Sequence, residues 1–116
     1  MNVRNQSIVG ASIAFALTIP STLSAATLQE KVQFSYSIGT TAGKKYCANK
    51  SVQEAMEKGT VIAMGETTIP MEVINKMDFN DDQYSLAMIE GMISYAIDNC
   101  PERAKSLFTD LYKMDN

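Results

Sequence analysis

The sequence predicts an all-α fold, a small single-domain bundle of four to five helices stapled by one disulfide. Three observations predict it. Apolar residues recur at helical spacing behind recognisable caps, strict alternation occurs in one run only, and the chain carries two cysteines, Cys47 and Cys100. A lone strand has nothing to pair with, whereas successive amphipathic helices can bury their apolar stripes against one another.

Residues 1–26 are set apart from that bundle and have the pattern of a secretory signal peptide. Arg4 precedes an apolar run from Ile8 to Ile19, Pro20 breaks any helix, and Ser24-Ala25-Ala26 supplies the small residues a signal peptidase needs. The run is shorter than the roughly 20 apolar residues that span a bilayer, so no stable membrane anchor is expected. Cleavage after Ala26 would leave a single helical domain, 27–116, in a periplasmic or secreted setting.

The stretch from Leu28 to Ala48 admits two readings. Val32, Phe34, Tyr36 and Ile38 alternate with Gln33, Ser35 and Ser37 as in a half-buried strand, yet Phe34, Ile38 and Ala42 also fall one helical turn apart. With no second alternating run to pair with, the helix is preferred. Its Gly39-x-x-x-Gly43 spacing would let another helix approach closely or would equally mark a bend. Ser51 and Glu54 form a capping box for the next helix, which carries Val52, Ala55, Met56 and Ala63 and is expected to end at Gly65. Pro70 suits the start of a short helix bearing Met71, Val73 and Ile74.

Asp78, Asn80 and Asp82 occupy the first three ligand positions of a calcium-binding loop, but Gln83 stands where glycine is required and Ile89 where a bidentate glutamate is required. Helix initiation accounts for them better: Asn80 as the N-cap with Gln83 reaching back, Asp81 and Asp82 at the positive helix end, and Phe79 stapled onto Tyr84. The helix so begun runs to about Asn99 and is expected to be the central, buried one. It bears two apolar stripes, Leu86/Ile89/Ile93/Ile97 and Tyr84/Met88/Met92/Tyr95. Cys100 ends it, Pro101 starts the last helix, and Ala104, Leu107, Phe108 and Leu111 give that helix one apolar face.

In an oxidising compartment the two cysteines most simply join each other, and a link across so long a loop contributes about 4 kcal/mol by loop entropy. They lack the Cys-x-x-Cys spacing of a redox pair. Residues 27–116 hold nine cations against thirteen carboxylates, a net charge of −4, with no basic cluster larger than Lys44-Lys45. Nucleic acid is therefore not an expected partner. Histidine is absent, which removes Ser-His-Asp triads, Cys-His dyads and histidine-ligated zinc. Neither an enzyme nor a cofactor or metal site is expected. The methionines lack the Met-x-x-Met spacing of a copper site and read chiefly as core filler.

Tyr46-Cys47, Asp78-Phe79-Asn80 leading a long helix, Ile93-Ser94-Tyr95 and Asn99-Cys100-Pro101 before a terminal amphipathic helix together form a layout. It resembles that of the HdeA/HdeB-like periplasmic proteins, small helical domains with one disulfide, whose founding members are acid-stress chaperones. The resemblance implies a stress chaperone that binds apolar client surface, and the Tyr84/Met88/Met92/Tyr95 stripe is the candidate apolar binding surface. Without histidine, an acid switch would run on carboxylates near pH 4. The alternative is a binding module, such as an inhibitor or immunity protein for an exported enzyme. A protein or peptide partner fits either reading, and a homodimer is a third way to cover the second stripe.

Overall fold

The computed structural model describes residues 26–115, so the expected signal segment lies, up to residue 25, outside the described residues. Within them the chain forms five helices and no strand: α1 (Leu28–Cys47), α2 (Val52–Glu66), α3 (Met71–Ile74), α4 (Asp82–Asn99) and α5 (Pro101–Asp115). The all-α bundle expected from sequence is what forms. None of these helices is long and apolar enough to cross a membrane.

Helix wins over strand in α1, and the burial pattern gives the reason. A strand would turn Tyr36 inward beside Phe34 and Ile38 and leave Ser35 outside. Instead Ser35 is fully buried, its hydroxyl donating to the Lys31 carbonyl at 3.0 Å, and Tyr36 lies at the surface. Phe34, Ile38, Ala42 and Tyr46 then form one inward stripe at four-residue spacing. A full capping box starts the helix: Thr27 Oγ1 accepts from the Glu30 amide and Glu30 Oε1 accepts from the Thr27 amide. Asn49, at φ 71°, supplies the left-handed turn that leads into α2.

One expected capping box is half made, and two expected boundaries shift by a residue. Ser51 caps α2, but Glu54 turns away from the reciprocal half of the box and faces Lys58 at 3.5 Å and Lys50 at 3.9 Å. Gly65 does not end α2, which continues to Glu66, because Gly65 does not take the left-handed φ of a helix-ending glycine. The N-cap of α4 is Asp81 rather than Asn80. Asp81 Oδ1 accepts from the Gln83 amide, while the Asn80 amide is already held by Asp78 Oδ1. Asp78 thus closes a turn just ahead of the helix. Phe79 does pack beside Tyr84, with ring centroids 6.3 Å apart.

The central helix is α1, not α4, for α1 packs along both α2 and α4. Close approach makes this possible. A Cβ at Gly39 would collide with the Met88 carbonyl, one at Gly91 with the Tyr36 carbonyl, and one at Gly43 would lie 2.8 Å from Tyr95 Cβ. At each of these points a glycine on one helix lets the facing chain come closer than a side chain would allow. Gly59 plays the same part between α2 and α1, where a Cβ would sit 2.7 Å from the Ala42 nitrogen.

Two apolar clusters result. One gathers Ala42, Tyr46, Val52, Ala55, Met92, Ala96, Ala104 and Leu107 around the disulfide, and the other joins Phe34 and Ile38 to Ala63 and Ile74. Met56, Met64, Met77 and Met88 fill in against these clusters, half-buried, as flexible thioethers do. Cys47, at the end of α1, and Cys100, the C-cap of α4, are bonded with their Cα atoms 5.7 Å apart.

Candidate functional site

The stripe expected to serve as the binding surface is turned inward. Met92 is fully buried, Tyr84 is 6 % exposed, and Met88 and Tyr95 are half-buried. Gly91 lies on this same side of α4, and its contact with α1 draws the stripe into the helix–helix interface. These four residues therefore hold α4 to the bundle, and the stripe left at the surface is the other one. Leu86 is 61 % and Ile97 52 % exposed, with Ile89 and Ile93 half-buried between them.

That outer row forms a ridge between two hollows. On one flank lies a shallow trough of about 780 Å³, floored by Ala87 and Ser94 and walled on the far side by Val32 of α1. On the other lies a cleft of about 510 Å³ between α4 and α5, where Met56, Met88 and Met92 form the base and Phe79, Phe108 and Leu111 the sides. Ile89 and Ile93 border both hollows, so the apolar surface is continuous from α1 across α4 to α5. Phe108, Tyr112 and Met114 extend it, each more than half exposed. Contiguous apolar patches of this kind on small domains mark interaction sites more often than scattered apolar residues do.

The position of α5 is fixed by a polar latch at the disulfide end. Arg103 stacks its guanidinium over the Tyr46 ring, 4.0 Å from the centroid, and donates to the Tyr46 carbonyl. The buried Tyr46 hydroxyl donates to Asp110 Oδ2 at 3.1 Å and shares a hydrogen bond with Ser106 Oγ at 3.1 Å. Ala104 and Leu107 are thereby seated in the core, while Phe108 of the same expected apolar face is left 53 % exposed at the cleft. Sequence reasoning missed this latch. The signal was the spacing of Arg103, Ser106 and Asp110, which places all three on one side of a helix.

Glu30 and Glu66 line a hollow of about 320 Å³ between α1 and α2, but Glu30 is committed to capping Thr27. Among the described residues no cluster of three acidic, cysteine or histidine side chains could hold a metal ion.

Fold and surface together define a class: a disulfide-stapled α-helical domain with an uncovered apolar face. Comparison with known proteins adds no narrower assignment, since no family model, curated protein or solved structure matches the chain.

Proposed function

We propose that this chain is a small exported, non-enzymatic helical protein that binds apolar client surface, in the manner of the periplasmic stress chaperones whose layout it resembles. The observation that carries this reading is the continuous surface from Leu86 and Ile97 to Phe108, Tyr112 and Met114, all more than half exposed. A domain of this size rarely leaves five large apolar side chains uncovered on neighbouring helices without a use for them. The N-terminal signal pattern supports export. Nine cations and thirteen carboxylates in residues 27–116 support an acid response, because neutralising the carboxylates leaves the cations to repel one another and loosen the bundle.

The test compares two double variants. Leu86→Glu with Ile97→Glu changes exposed positions and should preserve the fold while reducing both hydrophobic-dye binding and suppression of aggregation of an unfolded test protein. Met88→Glu with Met92→Glu should unfold the protein at neutral pH, since a carboxylate at the fully buried Met92 site costs several kcal/mol. Full client activity in a folded Leu86/Ile97 variant would refute the proposal.

A further inference from the structure

We infer that the trough beside α4 docks a cationic amphipathic helix; this rests on the client-binding reading and specifies its substrate class. Three features of the trough select that occupant. Its lining runs from Gln83 to Asp98, four turns of α4 and about 22 Å, the length of an amphipathic helix of about 15 residues. In cross-section the small residues Ala87 and Ser94 lie on the Val32 side and the taller Leu86, Ile93 and Ile97 stand on the other, with Gln83 and Glu90 along the line between them. An apolar helix face fits such a groove through residues at i, i+3, i+4 and i+7.

Charge decides which amphipathic helix it is. Glu90 and Asp98 are the ionisable side chains that line the trough, and both are exposed carboxylates. Among the described residues the ion pairs belong to Glu54 with Lys50 and Lys58, and neither Glu90 nor Asp98 takes part in one. The two carboxylates stand eight residues apart, about 12 Å along the helix axis, so they match basic residues two turns apart on a partner helix. An anionic helix would meet unpaired like charge along the same line. Three of the four ridge residues, Ile89, Ile93 and Ile97, are stiff β-branched side chains and no flexible methionine lines the trough, and that suits a regular helix better than an irregular chain.

The experiment uses two labelled 18-residue synthetic helices with the same leucine face, one with lysine and one with glutamate on the polar face. Fluorescence anisotropy against the oxidised protein should show the lysine peptide binding and the glutamate peptide binding at least about tenfold more weakly. Glu90→Lys with Asp98→Lys should reverse that order, and Ile93→Glu with Ile97→Glu should abolish binding of both, with circular dichroism confirming a helical fold throughout. Equal affinity for the two peptides, or an order unchanged by charge reversal, would overturn the cationic partner. Binding of neither would overturn the docking site. A wild-type dimer in sedimentation equilibrium that Ile97→Glu dissociates would give the trough to a second copy of the chain and likewise overturn the inference. In each of these failures, retained suppression of aggregation leaves the broader client-binding proposal standing, and its loss removes both.

Discussion

Gly39→Ala is the sharpest test of how this fold is held, because the same substitution at Gly65 should have the opposite sign. Both glycines lie inside helices with ordinary helical φ, so alanine gains up to about 1 kcal/mol at either site from propensity and from lost freedom of the unfolded chain. Around Gly65 there is no atom within 4 Å of an added Cβ, and the gain should appear in full. At Gly39 the added carbon would collide with the Met88 carbonyl, backbone that cannot rotate aside, so α1 and α4 must separate. The disulfide fixes their C-terminal ends, and the opening must run through Ile38 and Met88. Overpacking of a tight interface costs up to about 3 kcal/mol, which leaves a net loss of about 2 kcal/mol after the propensity gain. For a domain of this size that lowers the melting temperature by roughly 8–16 °C, against a rise of roughly 4–8 °C for Gly65→Ala. Thermal melts of the oxidised protein by circular dichroism at neutral pH measure both. A Gly39→Ala protein that melts at or above the wild-type temperature would show that the helices are not held at backbone contact, and the reasoning would fail.

Replacing Cys47 and Cys100 by serine removes a link across 53 positions and should cost about 4 kcal/mol, lowering the melting temperature by more than about 10 °C; titration of two free thiols in protein isolated without reductant would refute the bridge itself. Tyr46→Phe deletes the hydroxyl that holds Ser106 and Asp110 while keeping the ring under Arg103, and should cost about 1 kcal/mol. An unchanged urea midpoint for Tyr46→Phe would mean that solvent serves Asp110 as well as the tyrosine does.

Helix number and order were legible because they depend on local chemistry. Pro101 directly after Cys100 and Ser51 three residues before Glu54 mark helix starts whatever surrounds them. Thr27 and Glu30 carry the same signature, and reading it would have settled α1 as a helix from its first turn. Boundaries set by competition between neighbours were less legible. Asn80 and Asp81 are both good caps, and in the fold Asp81 accepts from the Gln83 amide while Asn80 falls within the turn closed by Asp78.

Which stripe of α4 faces inward is a tertiary question, and hydrophobicity cannot answer it because both stripes are apolar. The deciding residue is Gly91, which falls on the Tyr84, Met88 and Tyr95 side and meets α1 beside Gly39. Helices approach most closely where side chains are absent, so a glycine within an apolar face marks the packed side. Once that side is taken, the bundle has no element left to cover the other. α3 spans four residues, and α5 is held at the disulfide end by Ala104, Leu107 and the Arg103–Tyr46 stack, leaving Phe108 at the edge of the cleft. Covering Leu86, Ile93 and Ile97 from within the domain would need another long helix lying along α4, and among the described residues none does. The exposed ridge thus follows from the order and length of the helices, and a helix supplied by a partner has the shape to fill the place beside it.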